Sequence, residues 1–245
     1  MSEPVRKILA IVPAFNECGN IGRTVSEIRA LAQGVDVMVI DDGSSDTTAK
    51  EAKAAGGMVV SLPFNLGIGA AVQTGFMYAQ RCRYDIAMQI DGDGQHDAAF
   101  IEKVLGPIRR QEADMVVGSR FLEKTVGFRS SFSRRVGINF FVHLINALIG
   151  VKIYDPTSGF RAYNKKMIAL FSEYYPQDFP EPEAIVVAHQ AGGRIREVSV
   201  VMRAREAGNS SIRYFKTLYY MVKVTLAILL HMIRHRSVHK NNSEG

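Results

Sequence analysis

Ile86-Ala87-Met88-Gln89-Ile90-Asp91-Gly92-Asp93-Gly94-Gln95-His96 is the stretch on which the reading of this chain turns. An apolar run ends in two carboxylates one residue apart, with Gly on either side of the second. The run predicts a strand over 85–91 that delivers Asp91 and Asp93 to its C-terminal end, on one side because strand side chains repeat every two residues. The glycines permit a tight backbone that lets both acids face one ion. Two hard carboxylates and the amide oxygen of Gln95 suit Mg²⁺ or Mn²⁺, which complete their shells with substrate phosphates and water. Taken alone, Asp-Gly-Asp-Gly is explained as well by an ordinary polar turn. His96 is placed either to ligate a metal or to pack and hydrogen-bond.

The flanking sequence supplies the context. Lys7 to Ala14 reads as a buried strand, after which Asn16 would cap a helix with Glu17 in its first turn and Ile21, Val25, Ile28 and Leu31 on its apolar stripe. Val35–Ile40 is a second buried strand running into Asp41-Asp42-Gly43-Ser44. A helix over 47–55, a strand at 58–61 and a Gly-rich turn at Asn65-Leu66-Gly67-Ile68-Gly69 opening a helix to about Gln80 follow. Asp97 would cap a helix over 98–110, and Met115–Val117 is a further strand ending at Gly118-Ser119-Arg120. Strands alternating with helices predict an α/β fold with a mostly parallel sheet flanked by helices. Ligands of such sheets bind beyond the C-terminal strand ends, so the acids at 41–42 and 91–93 should gather in one crevice.

After residue 120 the alternation stops. A helix apolar on most faces is predicted over 136–151, then a polar turn at Asp155-Pro156-Thr157-Ser158-Gly159-Phe160-Arg161. Helices near 165–173 and 183–191, a strand over 195–202 and a long basic, apolar helix over 210–236 complete the reading. The Gly67-Ile68-Gly69 turn is too short for a dinucleotide fingerprint, and a close packing contact explains it as well as ligand approach does.

The 245 residues are enough for one domain with a small appendage, and at 47% apolar and 22% charged the chain is globular rather than disordered. A net charge of +6 favours an anionic partner. The basic residues cluster beside apolar segments, not in groove-reading or aromatic-interleaved motifs, which argues against nucleic acid. Two cysteines, Cys18 and Cys82, lack metal-ligand spacing and predict no disulfide, so a reduced, cytoplasmic setting is expected. No signal peptide is read at the N-terminus.

Pro13-Ala14-Phe15-Asn16-Glu17, Asp41 through Asp46, Asn65 through Ala70, Asp91 through His96 and Gly118-Ser119-Arg120 together resemble family 2 glycosyltransferases, in particular the dolichyl- and undecaprenyl-phosphate sugar transferases. Asp155 through Arg161, Glu183 and Arg205 through Ser210 continue the likeness, which spans about residues 7–211. The resemblance implies a Rossmann-like nucleotide-sugar-binding fold, a UDP- or GDP-sugar donor, a divalent cation and inversion at the anomeric carbon. It also implies roles: Pro13, Phe15, Glu17, Asp41 and Asp42 around the base and ribose, and Asp91, Asp93 and Gln95 around the cation. Arg120 and Arg205 would clamp phosphate oxygens, as guanidinium does bidentately. A lipid phosphate acceptor is already ionised, whereas a hydroxyl acceptor needs a general base, for which Asp155 or Glu183 is the candidate. For both acids the competing role is structural pairing with an arginine.

The sequence departs from the family pattern at Phe15, where Tyr is frequent, and at Ser211, where Lys is, leaving Arg213 or Lys216 for phosphate or membrane contact. Relatives often carry transmembrane helices after the catalytic domain. Here residues 217–233 include Lys223 and His231 and fall short of the ~20 apolar residues of a spanning helix. The expected organisation is a catalytic domain over 1–211, a membrane-interface helix over 212–236 and a disordered tail over 237–245. The expected partners are a nucleotide sugar, a polyprenyl phosphate, the inner membrane surface, and a small membrane protein or a second copy. The competing functions are transfer to a hydroxyl of a lipid-linked or soluble glycan, and a non-catalytic nucleotide-sugar-binding module.

Overall fold

The computed structural model describes residues 6–122, 132–177, 180–203, 223 and 225–226. The expected strand–helix alternation is present: β1 (Ile8–Ala14), α1 (Ile21–Leu31), β2 (Val35–Asp41), α2 (Thr48–Ala54), β3 (Met58–Ser61), α3 (Ile68–Arg81), β4 (Ile86–Gln89), α4 (Ile101–Arg109) and β5 (Met115–Ser119). After it come α5 (Phe132–Ile149), β6 (Arg161–Asn164), α6 (Lys165–Glu173), α7 (Pro180–Gln190) and β7 (Ile195–Ser199).

The sheet has seven strands in the order β3-β2-β1-β4-β6-β5-β7. All neighbouring pairs are parallel except those of β6, which runs antiparallel to both β4 and β5. Every residue of β1 is buried, as expected of a strand with helices on both faces. One face packs Phe76 of α3, Phe141 of α5, Phe171 of α6 and Ala184 of α7. The other packs Val25 of α1, Ala52 of α2 and Val104 of α4.

Five local expectations are corrected. The polar turn expected over 155–161 ends in β6: Arg161, its last residue, opens the strand and is fully buried, and no element is expected over 162–164 because Ala-Tyr-Asn has no apolar run. Asn16 does not cap a helix. It adopts a left-handed backbone (φ 53°), and its side-chain oxygen accepts from the Ser45 N–H at 2.9 Å, tying the β1 and β2 exit loops together. Leu31 is exposed, since α1 ends there and its stripe closes at Ile28. β4 stops at Gln89, so Asp91 and Asp93 sit in the turn beyond it and not on strand positions. Asp97 does cap, accepting from Ala99 N–H at 3.0 Å, but at a short 3₁₀ turn over Ala98–Phe100 that leads into α4.

α5 is apolar along much of its length; among its described side chains Ile138, Phe141, Ile145 and Ile149 are buried, while Phe140 is exposed. Among the described residues no helix is long and apolar enough to cross a membrane. The basic C-terminal helix and the tail fall almost wholly outside the described residues.

Candidate active site

The parallel strands β1, β2 and β4 end side by side, and their exit loops wall a cavity of about 390 Å³. Pro13, Phe15, Glu17 and Asp42 line it on the β1–β2 side, Gly67 and Ile68 at the start of α3, and Asp91 and Asp93 on the β4 side. The two groups of acids expected to meet in one crevice therefore do so. Phe15 is 46% exposed, an aromatic face open to the cavity.

Not every acid points into the cavity. Asp41 is buried and its Oδ1 accepts from Ser44 N–H at 3.0 Å, closing its own turn. Asp42 accepts from the N–H groups of Leu66 and Gly67 at 2.8 and 2.9 Å. Its charge thus orders the loop that opens α3 as well as lining the cavity. Glu17 accepts from the Asn20 amide at 3.0 Å. Gly69 answers the question of the Gly-rich turn: a Cβ there would lie 2.4 Å from Pro176 O and 2.5 Å from Gln177 Cα, so this glycine serves close backbone packing.

The paired aspartates are in unlike surroundings. Asp93 Oδ1 accepts from Gln95 N–H at 3.0 Å. The Asp91 side chain is 32% exposed, but its Oδ1 is sealed and has no hydrogen-bond partner among the described residues. Burial, with the Asp93 carboxylate beside it, pushes the Asp91 pKa up to about 7. A bound cation would reverse that shift. An orphaned carboxylate oxygen beside a second acid fits a divalent ion that takes most of its ligands from a diphosphate and water. Among the described residues no set of three acid, His or Cys side chains could enclose one alone. Gln95 does not line the cavity; its backbone carbonyl accepts from Arg203 N–H at 2.8 Å.

His96 resolves toward packing. It stacks on Phe160 with ring centroids 5.1 Å apart, and its Nδ1 accepts from Asp91 N–H at 3.0 Å. That bond assigns the proton to Nε2, which lies 3.7 Å from Asp91 Oδ2. Burial takes the imidazole pKa down to about 4. A neutral His96 therefore holds the backbone of Asp91 from behind.

Arg120 and Asp155 form a buried pair. The Arg120 Nε and one terminal nitrogen each donate to Asp155 at 2.6 Å, its backbone N–H donates at 3.0 Å, and the same terminal nitrogen reaches Thr157 Oγ1 at 2.8 Å. Their side chains are 3% and 0% exposed. Both oxygens of Asp155 are thereby engaged, and the backbone of 154–155 is anchored in turn on Glu197. Glu183 is buried in α7. Its neighbour Glu181, which the sequence reading passed over, interacts electrostatically with Asp91, Arg161 and Arg120, and burial raises its pKa. Arg205 lies outside the described residues.

The model of glycosyl transferase family 2 matches residues 9–171. The chain belongs to that family. An uncharacterised protein of Methanocaldococcus jannaschii is 33% identical to this family 2 chain over 88% of it and 91% of the relative. The UDP-N-acetylglucosamine–dolichyl-phosphate N-acetylglucosaminyltransferase of Methanococcus voltae is 30% identical over 79% and 84%. Among solved structures, glucosyl-3-phosphoglycerate synthase of Mycobacterium tuberculosis, in complex with Mn²⁺, UDP and phosphoglyceric acid, superposes with a TM-score of 0.70 at 23% identity, covering 92% of this chain and 78% of that one. The fold is that of a glycosyltransferase, and the protein is a glycosyltransferase of family 2.

Two further residues support the site, and only the first carries a signal in the sequence. Gln89 is a lone amide inside an apolar strand, which is a costly placement unless it is partnered; its Oε1 accepts from Tyr175 OH at 3.2 Å. Arg161 was quoted as part of a turn motif, and nothing in its local pattern indicates that it would be buried.

Proposed function

We propose that this chain transfers a sugar from a nucleoside-diphosphate donor to a polyprenyl phosphate, with a divalent cation and with inversion, at the inner membrane face. The observation that carries the reading is the single cavity that sets Pro13, Phe15, Glu17 and Asp42 opposite Asp91 and Asp93. The first group is suited to a base and ribose, the second to the charged end of the donor. The named Methanococcus voltae relative, with UDP-N-acetylglucosamine and dolichyl phosphate in its name, supports both substrates.

In this reading Asp91 and Asp93 would hold the cation, which when bound neutralises charge on the departing diphosphate. Asp42 orders the loop at the start of α3, and Phe15 offers an apolar face to the base. An acceptor phosphate oxygen attacks the anomeric carbon as the bond to the diphosphate breaks, and the nucleoside diphosphate leaves with the electron pair. The acceptor oxygen carries no proton, so no general base is required. Asp155 then acts by orienting Arg120, which follows β5 and acts electrostatically on Asp91. The basic, apolar stretch 210–236 would bring the site to the headgroup layer, each Lys or Arg near an anionic surface contributing ~1 kcal/mol.

The test is the purified chain with Mn²⁺, a panel of UDP- and GDP-sugars, and a short polyprenyl phosphate offered against phosphoglyceric acid. A glycosylated polyprenyl phosphate seen by mass spectrometry is the expected product. Transfer to phosphoglyceric acid with none to the lipid would refute the acceptor assignment.

A further inference from the structure

Beneath the aspartate turn lies a buried polar layer that the proposed chemistry does not use. Gln89 of β4 and Arg161 of β6 are register partners, so their side chains share one face of the sheet, and Tyr163 lies two residues further along the same face. Arg161 is 0% exposed. Its Nε donates to Ser158 O at 2.6 Å and one terminal nitrogen donates to Pro156 O at 2.9 Å. The other terminal nitrogen is sealed from solvent without a partner among the described residues. The loop so gripped carries Gly159, where a Cβ would lie 2.8 Å from both carboxylate oxygens of Asp91.

A fully buried guanidinium is expensive, and an apolar side chain of similar size would fill the space at lower cost. What Arg161 does beyond packing is set by the loop it grips. Arg161 grips two carbonyls of one loop with the fixed geometry of a planar fork, which the rotatable donors of a Lys ammonium do not reproduce. The positive charge also acts on the acids around it, favouring the ionised forms of Asp91 and of Glu181. Thr157 of the same loop accepts from Arg120, so the loop lies between both buried arginines.

We propose that Arg161 is a positioning residue for the donor–cation site: it holds the Pro156–Phe160 loop so that the bare backbone of Gly159 backs the Asp91 carboxylate and fixes its pose toward the cation. The inference rests on the donor reading given above. It assigns the loop a role in cation-dependent nucleotide affinity and not in nucleotide binding as such.

The experiment is calorimetric titration of the full chain with UDP and with GDP, each with and without Mn²⁺, for the wild type, Arg161→Lys, Arg161→Gln and Gly159→Ala. The Mn²⁺-dependent gain in affinity should fall roughly 10–100-fold in Gly159→Ala and Arg161→Gln, the range for residues that orient metal ligands, with Arg161→Lys between them and the wild type. Metal-free affinity should stay unchanged. Should Arg161→Gln fail to fold by circular dichroism, Gly159→Ala decides alone, since position 159 has no left-handed backbone to strain. A Mn²⁺-dependent gain that survives in Gly159→Ala, or equal losses with and without Mn²⁺, overturns the inference and leaves the donor reading standing. A wild type that binds neither nucleotide more tightly with Mn²⁺ overturns both.

Discussion

Replacing Asp155 with Asn separates a positioning pair from a general base. Asp155 accepts three bonds from Arg120, two of them at 2.6 Å, and neither side chain has appreciable contact with water. Asn retains the shape but has one acceptor oxygen, and it turns an NH₂ toward a guanidinium that can only donate. Exposed ion pairs are worth little, but removing one partner of a buried pair typically costs ~3–5 kcal/mol, because the other charge is stranded. For a chain of this size each kcal/mol moves the melting temperature by roughly 2–4 °C, so Asp155→Asn should melt on the order of 6–20 °C lower. Transfer should fall with it, through a misoriented Arg120. Thermal and urea unfolding read the first effect and initial rates with a polyprenyl phosphate the second. The double variant Arg120→Met, Asp155→Leu should recover much of the lost stability without recovering activity, as apolar replacements of buried pairs do. If Asp155→Asn unfolds within about 1 kcal/mol of the wild type while its rate collapses, stranding of Arg120 is wrong and Asp155 acts directly on substrate.

Asp93→Asn should abolish transfer at saturating Mn²⁺ while leaving the melting temperature near that of the wild type; near-normal turnover would remove Asp93 from the cation site. Gly69→Ala drives a Cβ into the backbone of Pro176 and Gln177, and should cost ~1–3 kcal/mol by overpacking. Weakened nucleotide binding should accompany it, and unaltered unfolding would contradict the close contact. Acid titration offers a fourth test, in metal-free buffer. His96, near 4 when folded, refuses a proton that the unfolded chain accepts below about 6.5, so its contribution to stability is lost as pH falls from 6.5 toward 4. Asp91, near 7 when folded, keeps a proton that the unfolded chain releases above about 4, so its contribution grows over the same fall in pH. The two oppose. His96→Gln should unmask the Asp91 effect, so that the variant gains stability relative to the wild type as pH falls from about 6.5 toward 4; parallel stability–pH curves would refute the assignment.

The strand–helix alternation to residue 119 was legible because each element carries its own signal: a continuous apolar run for β1 and β2, a three-to-four-residue stripe for α1, turn formers between them. The meeting of Asp42 with Asp91 and Asp93 followed from one rule about parallel sheets, since strands that start together bring their exit loops together. What local pattern could not supply was anything set by residues far apart in the chain. β6 is four residues long and begins with an arginine, and it is a strand because β4 and β5 leave a gap with unpaired backbone on both sides that those residues fill. For Asp155 both a general base and a pairing with some arginine are open in the sequence; that its partner is Arg120, across 35 positions, depends on where the loop after α5 returns to the sheet. His96 could be either a ligand or a packing residue until Phe160, far along the chain, came to lie against it. The sequence by itself therefore determined the family, the parallel core and the residue types at the crevice, because these are written in short-range periodicity and motif. Only the tertiary structure decided which acids face the cavity, which are held by arginine or backbone N–H groups, and that a buried Arg161 stands behind the aspartate turn, because burial and pairing are properties of neighbours that the chain brings together only on folding.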